Sequence, residues 1–169
     1  MLLDTISRAQ ISKATLNQLM GWFKSHKATL DWGGPEFKYP FTPESFLNDS
    51  KLYELTHVCL VNQAEELLAF GQCYERLQCC HLARLVIAPN QRGQGMVARL
   101  IQALAEQGKV DFNFFELSLF VMEDNVAARK AYEKLGFEYL VIDPPSDFAH
   151  VDWSRILYMR APLSIVGPK

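Results

Sequence analysis

The chain has 169 residues, 49% hydrophobic and 21% charged, with a formal net charge of −2 at pH 7. That suits one globular domain with a sizeable core, residues 1–169, and gives no general attraction to nucleic acid or anionic membranes. No apolar run approaches the roughly 18 residues of a membrane helix. The start, MLLDTISRAQIS, lacks the basic flank and apolar stretch of a secretory signal, so a cytoplasmic location is expected.

In chain order, the first helix is predicted from Lys13 to about Ser25, capped by Ser12, with Ile11, Leu16, Leu19, Met20 and Phe23 near one face. A second starts at Pro43 behind Thr42, a good cap. Between them LDWGGPEFKYPF (30–41) reads as a long loop, and long loops are often functional. Three strand-like runs follow at 56–62, 67–75 and 79–87, joined by QAEE and RLQ. Connections that short make antiparallel hairpins. A glycine loop and a helix ending at Gly108 come next, then a strand at 115–121 in parallel crossover. A helix from about Asn125 to Leu135 ends at Gly136, and runs at 137–143 and 153–162 close the order around a proline-rich loop. Cys59, Cys73, Cys79 and Cys80 form no Cys-x-x-Cys pair and no zinc spacing, so reduced thiols and no metal are expected.

The loop PNQRGQGMVA (89–98) is of a kind that holds an anion. A nucleotide-triphosphate loop would need four residues between its glycines and then Lys-Ser/Thr, which are absent. Gly93-x-Gly95-x-x-Ala98 fits the dinucleotide fingerprint on paper, but that motif needs a series of parallel strand–helix units, and the preceding strands read as hairpins. The remaining reading is a pyrophosphate site. N–H groups of Gln91 to Val97 and the first helical turn converge, the glycines permit close approach, and Arg92 adds charge.

LVIAPNQRGQGMVARLI resembles the acetyl-CoA motif of the GNAT N-acetyltransferase superfamily, Arg/Gln-x-x-Gly-x-Gly/Ala after an apolar strand. Arg92 and Gly95 match; Val97 stands where the family prefers Gly or Ala. EDNVAARKAYEKLGF (123–137) resembles the second segment, with Asn125, Ala128, Tyr132, Gly136 and Phe137 matching. The resemblance implies an α/β (α+β) fold: a mixed, mainly antiparallel central sheet flanked by helices and splayed at the acetyl-CoA site. It also implies acetyl transfer from acetyl-CoA, as cosubstrate, to a primary amine in a ternary complex. The acceptor would be a small molecule or a peptide, and the protein a monomer or homodimer.

The backbone of Leu85, Val86 and Ile87 could pair with the pantetheine arm as an added strand would, and an N–H there could meet the oxyanion. Arg92, Gly93, Gln94, Gly95, Met96 and Val97 would hold the pyrophosphate, with Asn125, Arg129 and Lys130 bordering the site. In the family a tyrosine at the position of Tyr132 reaches the thioester sulfur, where it could protonate the leaving thiolate. His81, near the place of a common family glutamate, could act as base at a pKa near 6.5; Glu75 is a second candidate and a water chain a third. Trp32 and Phe37, in the loop with Gly33, Gly34 and Pro35, would wall the acceptor groove. Each of these side chains also has an ordinary packing or solvated role open to it. The alternative from another class is a non-catalytic acyl-CoA-binding or sensor module.

Overall fold

The computed structural model describes residues 6–167. Seven strands form one open sheet in the order β1-β2-β3-β4-β5-β7-β6. They are β1 Ser7–Ala9, β2 Thr56–Val61, β3 Leu67–Arg76, β4 Cys79–Ile87, β5 Glu116–Met122, β6 Glu138–Leu140 and β7 Ile156–Pro162. β4 and β5 run parallel; the other neighbours are antiparallel. The β3–β4 turn explains its own tightness. Leu77 and Gln78 both take positive φ, 51° and 62°, as a two-residue primed hairpin turn requires.

The helices divide between the two faces. On one lies α4, Met96–Asp111, burying Met96, Leu100, Ile101 and Leu104 against β2, β3 and β4. Each fully buried leucine or isoleucine contributes roughly 1.5–3 kcal/mol relative to exposure. On the other lie α1 Lys13–Gly21, α2 His26–Gly33 and α3 Pro43–Ser50, around Leu19, Phe23, Phe37, Phe46 and Phe70. Helix α5, Val126–Leu135, buries no residue fully and packs through Ala128, Tyr132 and Leu135.

Several boundaries differ from the sequence reading, each for a local reason. The first helix stops at Gly21, because Ser25 caps a separate α2: its side chain accepts from the Ala28 N–H at 3.1 Å. Part of the expected 30–41 loop is therefore helix. β1 is three exposed residues with no apolar pattern to reveal it. α4 runs through Gly108, whose hydrogen side faces the Cys80 Sγ; a Cβ there would lie 3.1 Å from it. That glycine serves close packing rather than a cap. The run 137–143 yields only Glu138–Leu140, since Phe137 turns into the core at 2% exposure. In the run 153–162 the strand starts at Ile156, after a short 3-10 turn. The four cysteines are buried and free.

Candidate active site

The parallel pair is registered only at Cys80–Leu117, His81–Ser118 and Leu82–Leu119. Past Leu82, β4 keeps β3 as its sole strand partner, while β5 continues alongside β7 to Met122. The divergence has a visible cause. The β3–β4 register shifts between Phe70 and Gln72, and opposite that shift Arg84 takes a left-handed conformation, φ 50°. A bulge of this kind bends a strand away from its neighbour. Between the separated ends opens a cavity of about 370 Å³. Its wall includes Arg84, Leu85, Val86, Arg92, Asn125 and Tyr132.

One end of the cavity meets the glycine loop. Gly93 and Gly95 have φ of 73° and 74°, a region that favours glycine. Gly95 precedes α4 with no side-chain cap, so the first-turn N–H groups lack that partner. A Cβ on either glycine would meet nothing within 4 Å, so both face open space. Arg92 is exposed and its Nε donates to the Ile87 carbonyl at 3.4 Å, which holds the guanidinium at the strand end. Gln94 donates from its side chain to the Asn90 carbonyl at 3.2 Å and braces the loop. The Met96 side chain is buried in the core. That of Val97, which stands where the family prefers Gly or Ala, is partly buried and packs against it.

The helix bordering this end contributes unevenly. Asn125 caps α5, its Oδ1 accepting from the Ala128 N–H at 3.3 Å. In Arg129, Nε donates to the Tyr139 hydroxyl at 3.0 Å and Nη1 to the Glu123 carbonyl at 2.7 Å. These bonds occupy two of its nitrogens, and Nη2 has no partner among the described residues. Lys130 is exposed and makes no ion pair among the described residues. The Tyr132 hydroxyl has no hydrogen-bond partner among the described residues, and burial raises its pKa to about 12. It is therefore a protonated donor at every physiological pH.

The opposite end is walled by side chains from distant segments. His81 is 2% exposed, its Nδ1 2.9 Å from the Ser118 Oγ, and its ring lies between Tyr74 and Phe120. Burial, and then the Arg76 charge, lower its pKa to about 3. The expectation of a histidine titrating near 6.5 is corrected accordingly: the imidazole stays neutral. Glu75 pairs in register with Cys80 rather than His81, is exposed, and is absent from the cavity wall. Trp32 does line the cavity and anchors α2, donating from Nε1 to the Arg84 carbonyl at 2.7 Å. Phe37 does not; it is 4% exposed, in ring contact with Trp32, Phe41 and Phe46. Gly33, Gly34 and Pro35 line the wall in its place.

Sequence reasoning passed over Tyr74, Arg84, Phe120 and Phe148, all of which face the cavity. The available signal was an arginine interrupting an apolar strand. Nothing in the sequence joins Phe148 to Phe120 or Tyr74; in the fold Phe148 meets Phe120 edge to face, 5.3 Å between centres, and Arg76 lies 5.4 to 5.5 Å from all three ring centres and pairs with Asp147 at 2.6 Å. That bond, first, lowers the Asp147 pKa. The His150 Nε2 lies 2.5 Å from the Glu36 carboxylate, joining the segments that carry Phe148 and Pro35. Among the described residues no group of His, Cys, Asp or Glu is placed to hold a metal, and no helix is long and apolar enough to cross a membrane.

Comparison with known proteins agrees with this geometry. The sequence pattern of the acetyltransferase (GNAT) family matches residues 17–137. Among solved structures, spermidine N-acetyltransferase from Vibrio cholerae, in complex with CoA and spermine, superposes with a TM-score of 0.64 at 15% identity, covering 95% of this chain and 97% of that one. The ribosomal-protein-S18-alanine N-acetyltransferase from Escherichia coli gives 0.60 at 18% identity, with 94% of each chain covered. AAC(6')-Ib in complex with paromomycin and acetyl-CoA gives 0.65 at 19% identity, with 96% of each covered. Likenesses at these identities establish a shared fold.

Proposed function

Since this chain belongs to the acetyltransferase (GNAT) family, we propose that it transfers an acetyl group from acetyl-CoA to a primary amine by direct attack. One observation carries the reading. The splayed β4–β5 pair opens a cavity whose wall runs from Arg92, next to the glycine loop and the uncapped start of α4, to Tyr132, whose hydroxyl has no partner among the described residues. The residues present fit the donor. Gly93 and Gly95 leave room for a diphosphate, the α4 N-terminus favours its charge, and Arg92 stands beside it.

Acetyl-CoA supplies the activated thioester. The free pair of the amine adds to the carbonyl carbon, the new C–N bond replaces C–S, and the nitrogen gives up a proton as CoA leaves as thiol. The backbone N–H of Ile87 is the candidate for polarising the carbonyl, since Val86, like Ala88, turns its N–H toward β3. Tyr132, held protonated, donates a hydrogen bond to the departing sulfur. His81, neutral at physiological pH, is too weak a base to take the proton of an ammonium, so the amine enters in its unprotonated form. The work is done inside the cell, in the cytoplasm, with no metal.

The test is a panel of amines incubated with acetyl-CoA and protein, read as thiol release and confirmed by mass of the amide. Amine-dependent thiol release is expected. CoA binding with no amine-dependent release would make the protein an acyl-CoA-binding module, and a thermal shift from NAD(P) but not CoA would make the loop a dinucleotide site.

A further inference from the structure

The acceptor end of the cavity holds a cation with no acid bonded to it among the described residues. Arg84 lines the cavity and is only partly exposed. Its Nη1 donates to the Gln72 side-chain carbonyl at 3.0 Å, and its Nη2 makes a long contact with the Asp49 backbone carbonyl at 3.4 Å. Both acceptors are neutral. Its Nε has no partner among the described residues. Gln72 is fully buried and fixed from behind, its amide donating to the Ser50 carbonyl at 2.9 Å. The Asp49 carboxylate acts on Arg84 only through space: it accepts the Lys38 backbone N–H at 3.0 Å, with the Lys38 ammonium 3.8 Å away. A guanidinium withdrawn from water is stable when it meets an anion as well as neutral dipoles.

The rest of the wall sharpens the point. Its one carboxylate, Asp31, is held by the Lys27 ammonium at 2.5 Å. A polycationic acceptor would find no free acid there. Tyr74, Phe120 and Phe148 give an apolar, aromatic surface, and the Arg76 behind them is already neutralised by Asp147.

Resting on the transferase reading above, we propose that the acceptor is an amino carboxylate: a free α-amino acid with an apolar or aromatic side chain. Its carboxylate pairs with Arg84, its side chain lies on the Tyr74–Phe120–Phe148 surface, and its amine faces the splay between β4 and β5. Arginine suits the role, since its planar fork matches a carboxylate with two parallel bonds. Arg84 is a specificity-determining residue in this reading, and its main-chain bond to Trp32 is independent of its side chain.

The experiment uses matched probes that differ in the carboxylate alone: L-phenylalanine, L-phenylalanine amide and 2-phenylethylamine, with spermine as the polycation. Two readouts run in parallel, kcat/KM for acetylation and the thermal shift of CoA-loaded protein. L-phenylalanine is expected to exceed the amide and the decarboxylated amine by about tenfold to a hundredfold in kcat/KM, the worth of a charge-assisted bond. Arg84→Gln should collapse that ratio toward one, and Arg84→Lys should restore part of it. The ratio is insensitive to a general loss of active protein. Acetylation that favours the decarboxylated amine or spermine, or a ratio that survives Arg84→Gln, overturns the proposal and leaves the transferase reading standing. A carboxylate-dependent thermal shift lost in Arg84→Gln, with no probe acetylated, upholds the site and sinks the transferase reading. Equal shifts for all probes and no acetylation sink both.

Discussion

The proposed donor end and the proposed acceptor end of the cavity are built from different materials. The donor end is main chain from one contiguous stretch: the last residues of β4, two left-handed glycines and the uncapped start of α4. The acceptor end is side chain from five separate segments, with Trp32, Tyr74, His81, Phe120 and Phe148 brought together only by folding. Backbone can be read without regard to side-chain identity, so the donor end tolerates change in what points away from it. The acceptor end has no such insulation. Family members of this fold can therefore share a donor while diverging in acceptor.

The comparison breaks most visibly at Gly95. CoA at about 100 times its dissociation constant should stabilise the wild type by roughly 2.7 kcal/mol. Gly95→Val should abolish most of that shift, because its side chain enters the space the loop leaves open. The free protein pays about 1–2 kcal/mol for a left-handed valine but stays folded. An undiminished CoA shift in thermal melts would move the phosphate site elsewhere.

Tyr132→Phe tests the point where the two ends meet. The ring keeps its packing on Phe137, 5.9 Å between centres, and only the hydroxyl is lost. Turnover is expected to fall about 100-fold, the low end for a positioned proton donor, with CoA affinity kept. Single-turnover rates that match the wild type would return Tyr132 to packing alone.

His81 distinguishes the ends by pH. Its folded pKa of about 3 lies below its unfolded value of 6.5. The stability it confers is thus complete above pH 6.5 and is lost as pH falls toward 3, because only the unfolded chain takes up the proton. Arg76 and Asp147 are the charges that act on it. His81→Gln should flatten the acid limb of the melting profile by up to a few kcal/mol relative to the wild type. In kinetics both proteins should show one inflection that follows the pKa of the acceptor. Parallel acid limbs, or an inflection fixed near 6.5 in the wild type alone, would restore His81 as the base.

The smallest effect belongs to Val97→Gly. Its side chain packs on the α4 core, so restoring the family's glycine should leave the CoA shift as it is. The free protein should lose about 0.5–1 kcal/mol of helix stability. A clear gain in CoA affinity by calorimetry would show that the isopropyl group reaches the loop after all.

The same contrast decides what the sequence could disclose. Strands β2 to β4, the glycine loop, α4 and α5 were legible because each is a local pattern: short connections, apolar periodicity, a spaced pair of glycines. β1 was not, since three exposed residues carry no pattern. α2 was hidden by running α1 on to Ser25, although Ser25 is itself a capping residue and Lys27 and Asp31 stand one helical turn apart. In the site, Tyr132 was singled out by the resemblance of 123–137 to the family's second segment, and it lines the cavity. Phe37 was misplaced because aromatic residues in a loop do not announce which of them the core will claim. The burial of His81 depends on Phe120, Ser118 and Tyr74, none near it in sequence except through strand pairing.

The early parting of β4 and β5 has a consequence for self-association. An open sheet ordinarily has its unpaired hydrogen-bonding groups at its two outer margins, where another chain can zip on and begin an aggregate. Here further strand edge lies in the middle of the sheet, from Ala83 to Ile87. It is recessed in a cleft roofed by α2 on one side and bordered by α5 on the other. A slender chain with two amides can enter and bond there as a strand would; a second protein strand, flanked by its own sheet, is too broad. The fold thus retains the adhesive chemistry of a sheet margin for a small guest while denying it to other copies of itself.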